Sequence, residues 1–189
     1  KKATVIGLGR SGIAASKLLL KHGYSVTLSD SSDNSSLQTQ KQELEKLVIN
    51  VKLGDRFSPT EDIDLIIVSP GVPWDIASLV KAREMGIDTI GEMELAWRYL
   101  DDIPWVAVTG TNGKTTTTAL IDAIFQAAGL NTIACGNIGF AACVIKLFAL
   151  RCSAFCDDFG RFGCSRLIGC CAKPRQIILA VVALFKLGP

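Results

Sequence analysis

The chain has 189 residues, 49% of them hydrophobic and only 7% aromatic, and a formal net charge of +2. That length allows one large or two small domains with a mostly aliphatic core, and so small a charge gives no argument for a nucleic-acid or membrane-surface partner. The longest apolar run, Ile177 to Phe185, is shorter than the roughly 20 residues that cross a bilayer.

The first hundred residues alternate between two periods. Ala3 to Ile6 is a short buried strand, and Ser11 to His22 carries Ile13, Ala14, Leu18 and Leu19 at helical spacing before Gly23 stops it. Ser25 to Leu28 reads as the next strand, 31–36 as a polar loop and Leu37 to Val48 as a helix. Leu65 to Val68 is a continuous apolar strand that ends in the turn Ser69-Pro70-Gly71. A helix from Ala77 to Met85, a strand from Ile87 to Ile90 and a helix from Glu92 to Leu100 follow. Apolar strands alternating with helices predict a parallel sheet covered on both faces, an α/β fold.

Asp101 to Pro104 reads as a linker, with a domain boundary near residue 102. A second unit opens with a strand over 105–109, a glycine-rich turn, a helix from Thr115 to Ala128 stopped by Gly129, and a strand from Thr132 to Cys135. From about Val144 the pattern breaks down. After Cys143 the only acids are Asp157 and Asp158, against seven lysines and arginines, and residues 177–189 suit a strand or a helix equally. The seven cysteines all lie at or after Cys135. Their odd number, and a first segment that is a strand rather than an export signal, point to a cytoplasmic protein without a disulfide framework.

Two glycine loops carry the chemistry. Gly7-Leu8-Gly9-Arg10-Ser11-Gly12 follows a strand and opens a helix, and Asp30 stands at the end of the second strand. In this geometry Gly7 permits a tight turn, Gly9 lets the backbone approach a pyrophosphate, and Gly12 lets helix and strand pack closely. Asp30 could accept a ribose hydroxyl. The motif fixes a phosphate site without naming its ligand: NAD or a related dinucleotide, another nucleotide, or a turn with only a structural role all fit. The second loop, Thr109 to Thr116, joins a strand to a helix through Gly110, Thr111, Asn112 and Gly113 and delivers Lys114, Thr115 and Thr116. Backbone N–H groups can wrap phosphate oxygens there, the ammonium can draw on the terminal phosphates, and a hydroxyl can hold magnesium, so the loop predicts ATP. It is a variant, since Val108 stands where the common P-loop pattern has its first glycine. The plain alternative is a Gly-Asn turn with a solvated lysine.

The string Thr-Gly-Thr-Asn-Gly-Lys-Thr at 109–115, followed by Gly136-Asn137-Ile138-Gly139, resembles the ATP site of the Mur ligase family. Gly7 to Gly12, Ser69 to Pro73 and Gly91-Glu92-Met93-Glu94-Leu95 extend the resemblance over about residues 3–143. It implies a Rossmann-like parallel-sheet domain over 1–102 that binds the UDP of a sugar-peptide rather than NAD. The start of a P-loop-type α/β ATP-binding domain follows over 103–143, and then a divergent tail over 144–189. It further implies cytoplasmic peptidoglycan precursor synthesis with ATP and Mg2+, and UDP-N-acetylmuramoyl-L-alanine and D-glutamate as small-molecule substrates joined through an acyl phosphate. No nucleic-acid or membrane partner follows from it. The implied UDP-side residues are Arg10, Ser11, Asp30, Ser31, Ser32, Gly71 and Asn137. The implied ATP-side residues are Gly110, Thr111, Asn112, Gly113, Lys114, Thr115 and Thr116. Lys114 and Asn137 take catalytic roles, and Thr115 ligates magnesium. By themselves Asp30, Ser31 and Ser32 would read as a solvated turn.

The departure is equally definite. Family members carry a glutamate-bearing magnesium segment after the Gly-Asn-Ile-Gly string, and this chain has no glutamate after Glu94. The expectation is an incomplete catalytic centre that binds nucleotides without turnover. The coding frame is expected to shift near codon 144, with an NAD-dependent oxidoreductase as the remote alternative. Cys152, Cys156, Cys164, Cys170 and Cys171 lack the paired spacing of zinc knuckles. His22, the only histidine, stands at a helix C-terminus, where a capping or surface role is expected rather than catalysis.

Overall fold

The computed structural model describes residues 1–100, 104–110, 112–136, 140–145 and 176–181. Residues 101–103 of the expected linker, Thr111, Asn137 and the tail cysteines lie outside these. The chain divides into two compact units, Lys1–Arg98 and Tyr99–Pro189.

The first unit is built on five parallel strands in the order β3-β2-β1-β4-β5. The strands are β1 (Lys2–Ile6), β2 (Ser25–Asp30), β3 (Asn50–Leu53), β4 (Leu65–Val68) and β5 (Asp88–Gly91). Helices α1 (Arg10–Lys21), α2 (Ser35–Glu45), α3 (Ala77–Glu84) and α4 (Glu92–Tyr99) connect or follow them. The central strands are the most apolar, as a sheet covered on both faces requires. All four β4 residues are buried, as are four of the five in β1. Helix α1 lays Gly12, Ala14, Ala15, Leu18 and Leu19 against the sheet, and its chain leaves through Gly23 at φ +78°, a conformation glycine adopts without strain. Ile6, Ile66, Val68, Leu79, Ala82 and Ile87 form a core cluster against which Phe57 and Val72 pack.

Several elements differ from the sequence-based expectation. Strand β2 runs two residues further than Leu28, to Asp30. Helix α2 starts and ends earlier than 37–48, because Asn34 caps it by accepting the Leu37 N–H (3.0 Å) and Val48 sits at φ +64°. Strand β3 was not anticipated. It is an edge strand in which Val51 is buried and Lys52 exposed, so it lacks the apolar run of its neighbours. The crossover from β3 to β4, residues 54–64, contains no helix.

In the second unit β6 (Trp105–Val108), β8 (Gln176–Val181) and β7 (Asn131–Gly136) form a parallel sheet in the order β6-β8-β7, and α5 (Lys114–Ala127) connects β6 to β7. The segment left open between strand and helix is thus a strand over 176–181, paired with both neighbours. No described helix is long and apolar enough to cross a membrane.

Candidate functional site

In an open parallel sheet, ligands bind beyond the carboxyl ends of the strands where the order reverses. Here that point lies between β1 and β4, and both strands end in tight turns. Gly7 leaves β1 at φ +98° and its N–H donates to the Ser29 carbonyl (2.8 Å). After β4, the Val72 N–H closes a turn on the Ser69 carbonyl (3.0 Å).

The two turns are joined. Ser69 is buried, and its Oγ donates to the Gly7 carbonyl (2.9 Å). A Cβ at Gly12 would stand 2.0 Å from that same carbonyl oxygen and 2.9 Å from Ser69 Oγ. Gly12 is therefore required by packing between helix and loop. Gly9 is different: a Cβ there meets no atom within 4 Å. Gly9 is the N-cap of α1 and offers no side-chain cap, so no side chain at the cap satisfies the orphan N–H groups of the first turn. Arg10 is exposed and Ser11 half-buried beside them.

Asp30 is committed to the loop. Its Oδ2 accepts the Leu8 N–H (2.7 Å) and its Oδ1 accepts the Ser32 N–H (2.8 Å). It therefore holds the glycine loop and the turn carrying Ser31 and Ser32 in one frame. A cleft of about 590 Å³ opens here, lined among others by Gly7, Asp30, Ser31, Arg56, Phe57 and Gly71, a size suited to a small organic ligand. Of the implied UDP-side residues, Asp30, Ser31 and Gly71 line this cleft, while Arg10, Ser11 and Ser32 are not among its lining residues. Asn137 lies outside the described residues.

In the second unit, Gly110 (φ +149°) and Gly113 (φ +75°) shape the turn after β6, and Gly113 is the N-cap of α5 without a side-chain cap. Lys114 folds back over the loop, where its Nζ donates to the Gly110 carbonyl. Thr115 and Thr116 are exposed in the first helical turn, with Asn112 exposed before them. The loop thus gathers an ammonium, two hydroxyls and uncapped N–H groups, a donor set that fits a polyphosphate and one hydroxyl ligand for a magnesium ion. Among the described residues, no group of three or more His, Cys, Asp or Glu side chains could hold a metal.

These two turns correspond to two matched domains. The description "Mur ligase MurD-like, N-terminal domain" matches residues 1–91, and "Mur ligase middle domain" matches residues 108–149. The chain belongs to the Mur ligase family. Within it, the chain is 63% identical over 148 residues to the UDP-N-acetylmuramoylalanine–D-glutamate ligase of Gloeothece citriformis, covering 77% of this chain and 33% of that protein. It is 62% identical over 149 residues to the enzyme of the same name from Trichormus variabilis, covering 78% of this chain and 33% of the relative. The chain spans about a third of the length of the curated Mur ligases it matches. Among solved structures, the UDP-N-acetylmuramate:L-alanyl-gamma-D-glutamyl-meso-diaminopimelate ligase of Neisseria meningitides superposes with a TM-score of 0.50 at 16% identity, covering 98% of this chain and 55% of the other. That likeness shows the Mur ligase fold alone.

Sequence reasoning missed Ser69 as the brace of the glycine loop, and it missed Asp55, Arg56 and Phe57 as cleft residues. The signal available for Ser69 was its place at the end of an apolar strand. The β3–β4 crossover carried none, because β3 itself was not visible.

Proposed function

We propose that the protein is the nucleotide-binding part of an ATP-dependent ligase of the kind that adds D-glutamate to UDP-N-acetylmuramoyl-L-alanine in cytoplasmic peptidoglycan precursor synthesis, and that these 189 residues hold both nucleotides without turning them over. The observation that carries this reading is the presence, in one chain, of two uncapped glycine-led helix starts with different chemistry: one beside a nucleoside-sized cleft, one bearing a lysine and hydroxyls. The first suits a uridine diphosphate. Its phosphates lie against the N–H groups of α1, with Arg10 and Ser11 alongside. The uridine occupies the cleft between Asp30, Ser31 and Gly71. The second suits the triphosphate of ATP. Lys114 would neutralise the outer phosphates, the backbone of 110–113 would donate to their oxygens, Thr116 would add a hydrogen bond, and Thr115 would offer its hydroxyl to magnesium.

The reaction that joins these substrates brings a carboxylate up to a polyanion, so fixed donors and cations must offset their repulsion. When bound, magnesium supplies further charge neutralisation at the phosphates. Lys114 and, from the family pattern, Asn137 are the residues of this chain nearest that task. The glutamate-bearing segment that supports the metal in the family has no counterpart in this sequence, so the 189 residues are assigned binding of both nucleotides without turnover.

The test combines calorimetry with a phosphate-release assay on the 189-residue chain. Heat on adding UDP-N-acetylmuramoyl-L-alanine and, separately, magnesium-ATP, with no phosphate released after D-glutamate is added, is the expected outcome. Release of phosphate would overturn the assignment of inactivity. Binding of NAD in place of UDP would overturn the substrate.

A further inference from the structure

One face of the first sheet changes character half-way across. Side chains opposite one another in a parallel pairing share a face. On the β4 side of this face, Ile6, Ile66 and Val68 pack with Leu79 and Ala82 of α3. On the β3 side, the register sets Lys2 beside Ser25, Thr4 beside Thr27 and Ser29 beside Lys52. Strands covered by helices carry apolar residues on both faces. Here the strands present four hydroxyls and two ammonium groups, and the β3–β4 crossover contains no helix to cover them.

All six side chains line a cavity of about 360 Å³ between the sheet and that crossover. It adjoins the nucleotide cleft at Ser29, Asp55 and Phe57, and reaches the amino ends of the strands at Lys2 and Ser25. Its floor is not solvated surface. Thr4 is 5% exposed and Ser29 3%, yet among the described residues neither hydroxyl has a hydrogen-bond partner. A buried hydroxyl left unpaired is costly, and both of these border the cavity.

The charges of the lining balance. Lys2 and Lys52 stand against Asp55 and Asp62, and Lys2 already pairs with Asp62 at 2.7 Å. A ligand of either charge therefore meets a like charge. Hydroxyls both donate and accept, and those on neighbouring strands stand about 5 Å apart, close to the separation of alternate hydroxyls on a sugar ring. Phe57, half-buried against the core cluster, adds an aromatic surface to the same space. We propose that this cavity binds a neutral polyol of monosaccharide size, at a site separate from both phosphate loops. Thr4, Thr27 and Ser29 exchange hydrogen bonds with its hydroxyls, Lys52 donates from the edge strand, and Phe57 meets its C–H face.

Amide chemical-shift mapping of the 189-residue chain tests this, with D-glucose as the probe and inorganic phosphate as the charged comparison. Saturable shifts at Thr4, Thr27, Ser29 and Lys52 are expected with millimolar glucose, and none there with phosphate. Thr4→Val and Thr27→Val each remove one hydroxyl while keeping the β-branched shape a strand favours, and the amide spectrum reports whether the fold is kept. Each should weaken glucose binding about fivefold, the loss of one neutral hydrogen bond. Lys52→Met, at an exposed edge position, carries the same test if either valine variant fails to fold. Absence of saturable glucose shifts would show a cavity that holds only water and overturn the proposal. So would phosphate binding there in place of glucose, glucose shifts centred on Gly9 and Gly71, or glucose affinity unchanged in every folded variant.

Discussion

Gly12 has no room for a side chain. A methyl group there would stand 2.0 Å from the Gly7 carbonyl oxygen, a backbone atom that cannot swing aside. We therefore expect Gly12→Ala to cost about 2–3 kcal/mol of stability and to displace the loop, so that urea denaturation shows a lower midpoint and UDP binding is lost. Ser69→Ala is milder. It deletes the hydroxyl that donates to the same carbonyl and should cost about 1 kcal/mol, read from the same denaturation curve. The packing role of the third glycine was legible, because a glycine at that spacing between strand and helix has one common purpose. The Ser69 brace was not, because it joins positions 62 residues apart and no local pattern encodes such a distance. Asp30 was legible only as a site residue. Its carboxylate turns out to accept two backbone N–H groups and so to hold the loop as well.

Strands and helices were readable where burial was extreme. β1 and β4 are continuous apolar runs, and α1 has an unbroken apolar face, so their periods stand out. The edge strand β3, with one side chain buried and its neighbour exposed, has too little apolar sequence to show. With β3 unseen, the helix-free crossover after it was unseen too, and with it three residues of the cleft. This crossover is tied down at its far end. Lys2 Nζ pairs with Asp62 Oδ2 (2.7 Å), Thr60 Oγ1 donates to Asp62 Oδ1 (2.5 Å), and the Lys2 N–H donates to Asp64 Oδ2 (2.7 Å). Hydrogen bonds from Lys2 and Thr60 hold the Asp62 carboxyl down at about 2, below its ordinary 3.8. Because the folded value lies below the unfolded one, the stabilisation is complete above about pH 3.8 and is lost as pH falls through about 2. Thermal melting between pH 4 and pH 2 should thus fall less steeply for Asp62→Asn than for the native chain. Parallel curves would show that the pair, being exposed, contributes nothing.

The two glycine loops stand in separate compact units, each built from its own sheet. Their ligands should therefore bind independently. Lys114→Ala removes the ammonium of the second loop and nothing from the first, so magnesium-ATP binding should vanish while UDP affinity stays as it was. Equal loss of both would show that the units do not act separately. The parallel α/β organisation was legible from alternation alone. The placement of β8 between β6 and β7 was not, because that strand follows a long stretch without a period and pairs with partners far back in the chain.

Amide chemical-shift mapping of the 189-residue chain titrated with UDP probes the proposed uridine-diphosphate site at the carboxyl ends of β1 and β4 residue by residue. Saturable shifts at Gly9, Arg10, Ser11, Ser31, Arg56 and Gly71, with the amides of α5 unmoved, are expected. Shifts of those same amides by NAD but not by UDP, or UDP-induced shifts confined to other parts of the chain, would contradict it.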